Sequence, residues 1–98
     1  IRAACRLLRM FTLAGCELYT SCEPCPMCLA ASYWARLDAI YYGCSAVDAA
    51  RAGFDDDSLY SEMRKDAALR TVPAVQLLSD EAWASFDAWM ASPIKIAY

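Results

Sequence analysis

The 98-residue chain contains no histidine, only three glycines and no apolar stretch as long as a membrane helix requires. A helix that crosses a bilayer needs about 20 consecutive apolar residues, and a charged side chain interrupts every stretch of that length. The first ten residues mix three arginines with apolar residues in helical order, which is not the pattern of a secretory signal. These residues therefore predict neither a membrane span nor a secretory signal.

Basic residues are also scarce, because nine Lys and Arg stand against twelve Asp and Glu and give a net charge of −3. Binding to tRNA or duplex DNA rests largely on basic side chains that neutralise phosphates, so this balance disfavours a nucleic-acid partner. A single uncharged base is still compatible with the composition as a ligand.

Cysteine, in contrast, is abundant, with six residues in the chain. This number alone is compatible with a secreted disulfide scaffold. Such scaffolds are rich in loops, whereas this chain alternates strand and helix patterns and needs no covalent links to build a core. We therefore expect a reduced, cytoplasmic protein in which some cysteines bind a metal.

The order of patterns along the chain predicts an α/β fold with parallel crossovers in a single domain, residues 1–98. Ser45 and Asp80 are expected to cap helices, and Gly53 to end one. An acidic loop is expected at 54–58. The helices are predicted at 1–9, 26–36, 45–52, 58–63 and 81–91, and the strands at 17–21, 39–44 and 74–78.

The strongest chemical motif is the run CEPCPMC at residues 22–28, in which Cys25 and Cys28 lie three positions apart at a helix start. Residues i and i+3 share one face of a helix, so both sulfurs can reach one metal. The helix N-terminus favours negative charge, so we expect it to lower the pKa of both thiols. Thiolates with this spacing suit zinc, but a catalytic zinc site also needs a third ligand, an open position and a proton-transferring group. A redox pair and two buried thiols are the other interpretations of the motif.

Beyond this motif, the run LYTSCEPCPMCLAA at 18–31 resembles the zinc deaminases that act on guanine, cytosine or tRNA adenosine. Their signature is a His-x-Glu followed by PCxxC. The runs GFDDD at 53–57 and RTVP at 70–73, together with the terminal Tyr98, resemble bacterial guanine deaminases more specifically.

The resemblance implies a three-layer cytidine deaminase-like fold, a mixed sheet between helices, and hydrolysis of guanine to xanthine and ammonia. Cys25 and Cys28 would be two zinc ligands. The family's His-x-Glu would precede Ile1, so we expect the N-terminal hairpin and part of the first catalytic helix to be absent and the chain alone to be inactive. A processed or fragmentary start is expected because the chain begins with Ile1 rather than Met. Glu23 does not replace the missing glutamate, since the family has a Glu there without that role.

The resemblance also implies that Trp34, Asp56 and Tyr98 bind the substrate. The simpler interpretations are a core aromatic for Trp34, a solvated turn for Asp56 and a frayed terminus for Tyr98. Guanine deaminases of this type form homodimers that exchange C-terminal segments, so Tyr98 would enter the partner's site. No nucleic acid or membrane is expected as a partner.

Three alternatives stay open. The chain can belong to a deaminase with another base, such as cytosine or adenosine in tRNA, although its acidity argues against tRNA. It can be a non-catalytic protein that keeps the deaminase fold without the His-x-Glu pair. It can also be a redox protein that uses the CxxC pair.

Overall fold

A computed structural model describes residues 1–96 and divides the chain into two compact units. The first unit, Ile1–Asp66, holds both strands and four of the helices, whereas the second, from Ala67 onward, holds a short 3-10 turn and the last helix. The single domain expected for 1–98 stays a prediction, because two compact units can still belong to one domain.

The sheet of the first unit consists of two parallel strands, β1 at Glu17–Cys22 and β2 at Ala39–Cys44. Residues in register lie side by side, as the stacked rings of Tyr19 and Tyr41 show, with centroids 4.9 Å apart. A helix connects the two strands, as parallel pairing requires. The βαβ unit predicted from the sequence is therefore confirmed, and its strands begin where they were expected.

The helices are α1 at Arg2–Leu8, α2 at Pro26–Trp34, α3 at Ala46–Arg51, α4 at Asp56–Arg64 and α5 at Ser79–Ala91. Helix α3 begins with the predicted cap, since the Ser45 hydroxyl accepts a hydrogen bond from the Asp48 amide and the Asp48 carboxylate accepts one from the Ser45 amide. It is followed by Gly53 at φ 94°, a conformation that favours glycine. These local signals explain why this part of the chain could be predicted closely.

Helix α4 begins two residues earlier than predicted, at Asp56 rather than Ser58. Asp56 and Asp57 thus occupy its first turn, where their negative charge suits the helix dipole. The prediction of an acidic loop at 54–58 was therefore wrong for residues 56–58, which belong to α4.

In the second unit, the strand predicted at 74–78 does not form. The described residues 67–96 contain no other strand with which residues 74–78 could pair. A strand without a partner would leave its backbone N–H and C=O groups without hydrogen bonds. Helix α5 begins at Ser79 after Leu78 at φ 51°, so Asp80 lies in its first turn instead of capping it. The described residues thus form a parallel sheet and not the expected mixed one, while the α/β class is confirmed.

The core of the first unit is built mainly from small side chains. Its buried residues include Leu13, Ala35, Ala46, Ala49 and the polar Ser32, whose hydroxyl donates to the Cys28 carbonyl at 2.9 Å. Small residues allow close approach, and α4 packs against both α2 and α3. The packing holds the start of α4 near the start of α2. None of the helices within residues 1–96 is long and apolar enough to cross a membrane.

Candidate metal centre

The turn between β1 and α2 fixes the position of the CxxC pair. Cys25 is the N-cap of α2 with extended backbone, and Cys28 follows one helical turn later. The backbone N–H of Glu23 donates to the Cys44 carbonyl at 2.8 Å, and its carboxylate accepts from the Ala46 N–H at 2.8 Å. Glu23 thereby ties the turn to the end of β2 and to the start of α3, which is a structural role consistent with its not being the catalytic glutamate.

The two thiols of the pair face each other. A side-chain hydrogen bond between Cys28 and Cys25 is the largest cause that raises the pKa of Cys28. Partial desolvation and the negative charges of Cys25 and Asp56 raise the same pKa further. The expected lowering of the pKa was therefore wrong for Cys28, and the hydrogen bond with Cys25 is the largest cause of the opposite shift.

A cleft of about 790 Å³ opens beside the two thiols. It is lined among others by Thr20, Glu23, Pro24, Cys25, Cys28 and Asp56. This volume lies within the range of ligand sites, which runs from roughly 300 to 1,000 Å³. The structure thus brings three predicted site residues together: Cys25, Cys28 and Asp56, which is half-buried while its neighbour Asp57 is exposed.

The other two predicted substrate-binding residues, Trp34 and Tyr98, are not among the residues that the structure places at the cleft. Trp34 lies in the last turn of α2 and is 63% exposed, and it does not line the cleft. The guanidinium carbon of Arg36 lies 6.0 Å from its ring centroid. Tyr98 lies outside the described residues 1–96. Substrate contacts by Trp34 and Tyr98 therefore stay predictions.

Sequence reasoning missed Tyr60. Its hydroxyl donates a hydrogen bond of 2.5 Å to the carbonyl oxygen of Pro24, the residue directly before Cys25. Burial raises the pKa of Tyr60, and the negative charges of Glu23, Cys25 and Asp56 add to this effect. Tyr60 lies four residues after Asp56 and so shares its helix face. The spacing of four residues between Asp56 and Tyr60 is visible in the sequence. It was not recognised because the helix was predicted to begin at Ser58, after Asp56.

Replacing Tyr60 by phenylalanine should weaken zinc binding about tenfold, because the Pro24 carbonyl loses the group that orients the turn before Cys25. Competition with a chromophoric zinc chelator measures the change. Tyr33→Phe is the matched control, since the Tyr33 side chain is exposed and does not line the cleft. Equal affinities of both variants and the unchanged protein would show that Tyr60 does not position the metal ligands.

The donor set fits half of a zinc site. Two thiols held side by side are soft ligands that prefer zinc to hard cations, and the negative charge around Cys28 favours a cation at this point. Within residues 1–96, no group of three or more His, Cys, Asp or Glu side chains is arranged to hold a metal. The described residues thus offer two candidate ligands of the three or four that a zinc ion takes.

Zinc affinity should rise with pH through the neutral range. The raised pKa means that Cys28 holds its proton more tightly than an ordinary thiol, and this proton must leave before the sulfur can bind zinc. Below that pKa, each thiol proton released changes the apparent affinity about tenfold per pH unit. Chelator competition at a series of pH values measures the slope. An affinity that is independent of pH would exclude thiolate ligands.

Comparison with known proteins finds a zinc-binding region that matches this part of the chain. Residues 1–44 match the cytidine and deoxycytidylate deaminase zinc-binding region. The chain is 52% identical over 89 residues to a guanine deaminase of Bacillus subtilis, which covers 91% of this chain and 57% of that protein. It is 49% identical over 43 residues to a tRNA-specific adenosine deaminase of Agrobacterium fabrum, covering 44% of this chain and 28% of the relative.

The fold agrees with these matches. The X-ray structure of guanine deaminase from Bacillus subtilis superposes with a TM-score of 0.92 at 49% identity, covering 100% of this chain and 62% of that chain. The chain thus spans somewhat more than half the length of these guanine deaminase relatives. Residues 1–44 thus carry a cytidine and deoxycytidylate deaminase zinc-binding region, and the chain as a whole is similar to guanine deaminase in sequence and in fold.

Proposed function

We propose that the protein containing this chain is a guanine deaminase, which hydrolyses guanine to xanthine and ammonia. The observation that carries this proposal is the convergence of Cys25, Cys28 and Asp56 on one cleft of suitable size for a nucleobase. The 52% identity to a guanine deaminase over most of the chain supports guanine as the base.

Cys25 and Cys28 would hold the zinc ion. Bound zinc supplies a Lewis acid that lowers the pKa of a coordinated water to about 7. The Glu23 and Tyr60 hydrogen bonds keep the ligand-bearing turn in place. The resemblance assigns the third ligand and the proton-transferring group to a His-x-Glu pair, which these 98 residues do not contain because they include no histidine.

Asp56 would recognise the base. Guanine presents a ring N–H and an amino group side by side, and an ionised carboxylate accepts hydrogen bonds from two adjacent donors. Cytosine and adenine present an acceptor nitrogen beside their amino group, so a carboxylate matches them less well. The position of Asp56 in the cleft therefore favours guanine over these bases.

A tRNA adenosine deaminase is the second candidate, because relatives of that name match part of the chain. The net charge of −3 disfavours it, since tRNA binding requires basic residues that contact phosphates.

Ammonia release from separate guanine, cytosine, adenine and tRNA substrates tests the proposal. The assay uses the zinc-loaded product of the complete reading frame that contains these residues, with the 98-residue chain tested in parallel. We expect turnover of guanine by the complete product and none by the 98-residue chain alone. Preferred turnover of another substrate by the complete product would refute the guanine assignment.

Two further features stay predictions. A homodimer with exchanged C-terminal segments depends on Tyr98, which lies outside the described residues. The cytoplasmic location is an expectation from the strand and helix pattern and from the interpretation of the cysteines as reduced.

A further inference from the structure

A second pair of thiols lies at the carboxyl ends of the two strands. Cys22 and Cys44 are the last residues of β1 and β2, and they are partners in the parallel register. Two residues that are partners in the register have their side chains on the same face of the sheet, as the stacked rings of Tyr19 and Tyr41 show. The cysteine pair lies on the face opposite to these two rings. Cys22 and Cys44 therefore point to one side of the sheet.

The spacing of the strands suits a disulfide. Neighbouring strands lie roughly 4.7–4.9 Å apart, and disulfides join residues whose Cα atoms are roughly 4.4–6.8 Å apart. Both cysteines are free thiols in the structure, and Cys44 is exposed. An oxidant can therefore reach one sulfur of the pair without unfolding of the sheet.

The pair borders two cavities. Cys22 and Cys44 both line a cavity of about 390 Å³ next to α3, and Cys22 also lines the cleft of the metal centre. Asp56 lines both cavities as well. A bond between Cys22 and Cys44 would fix the strand ends directly before the turn that carries Cys25.

We propose that Cys22 and Cys44 form a reversible disulfide by exchange with a low-molecular-weight disulfide. The Cys44 thiolate attacks one sulfur of the small disulfide and releases one small thiol, which leaves a mixed disulfide on Cys44. The Cys22 thiolate then attacks the Cys44 sulfur and releases the second small thiol. The two protein thiols thus lose two electrons and two protons, which the small disulfide takes up. This site depends on the strand register and not on the proposed function.

Tryptic peptide mapping distinguishes this disulfide from a bond within the CxxC pair. Cleavage after Arg9, Arg36 and Arg51 yields peptide 10–36, which contains Cys16, Cys22, Cys25 and Cys28, and peptide 37–51, which contains Cys44 alone. A Cys22–Cys44 bond joins these two peptides, whereas a Cys25–Cys28 bond stays within the first. The protein is equilibrated with mixtures of reduced and oxidised glutathione, quenched with acid, alkylated, digested and analysed by mass spectrometry without reduction.

We expect the joined peptide from most chains at the oxidising end of the series, and its loss when reduced glutathione is restored. Cys22→Ser and Cys44→Ser should each abolish it, while the control Cys16→Ser should not, because Cys16 precedes the opposite end of β1. The unchanged protein in concentrated urea should yield less joined peptide, since the register is lost. Absence of the joined peptide under all conditions, its persistence in Cys22→Ser, or equal yields with and without urea would overturn the proposal.

Discussion

Replacing Cys25 or Cys28 by serine is expected to lower the zinc affinity of the protein by about a hundredfold or more. Loss of a group that only orients a ligand costs roughly 10–100-fold in metal affinity, and the loss of a ligand itself costs at least as much. Serine keeps the size of the side chain but its hydroxyl stays protonated, so it offers no anionic ligand. Chelator competition with zinc, and titration with cobalt followed by its thiolate charge-transfer absorption, measure the effect.

The control for this experiment is Cys16→Ser, since Cys16 lies just before the opposite end of β1 and does not line the cleft. This variant should bind zinc like the unchanged protein. If all three variants bound zinc equally, the metal would lie elsewhere and the CxxC pair would be structural or redox-active.

Replacing Asp56 by asparagine should lower kcat/KM for guanine by about a hundredfold or more, again in the product of the complete reading frame. Asparagine has the shape of aspartate, but its amide group can turn a donor toward the two donors of guanine. An unpaired polar group in a binding site is costly, and sites that recognise polar substrates discriminate strongly for this reason. Xanthine formation measured at several guanine concentrations gives the change.

Asp57→Asn is the matched control, because it removes the same charge from the neighbouring, exposed position. Its kcat/KM should change less than about threefold, since exposed charges are well screened by water and salt. Zinc content is measured for both variants, so that loss of metal is not mistaken for loss of recognition. An Asp56 variant with full zinc content and undiminished guanine turnover would remove Asp56 from the substrate site.

Local signals explain which parts of the structure the sequence predicted. The prolines around Cys25 place a turn and then a helix start, and the Ser45 cap and Gly53 define the two ends of α3. Each of these signals acts through the backbone within a few residues. The βαβ unit and the position of both thiols could therefore be predicted before the packing was known.

The features that sequence reasoning missed depend on contacts between distant residues. The hydrogen bond from Tyr60 to Pro24 spans 36 positions and arises only because α4 packs against α2. The raised pKa of Cys28 comes first from its hydrogen bond with Cys25 and from desolvation, and Asp56, which approaches from another helix, adds to it. The apolar residues at 74–78 carried a strand pattern, but a strand forms only where a partner pairs with it.

Zinc-edge X-ray absorption on the zinc-loaded product of the complete reading frame tests the central claim most directly. Two sulfur ligands at about 2.3 Å are expected, with the other positions filled by nitrogen or oxygen, and one sulfur ligand fewer in any Cys25→Ser protein that retains zinc. A spectrum without sulfur ligands, or one that the Cys25→Ser change leaves unaltered, would contradict the assignment of Cys25 and Cys28 as the zinc-binding pair of the proposed deaminase.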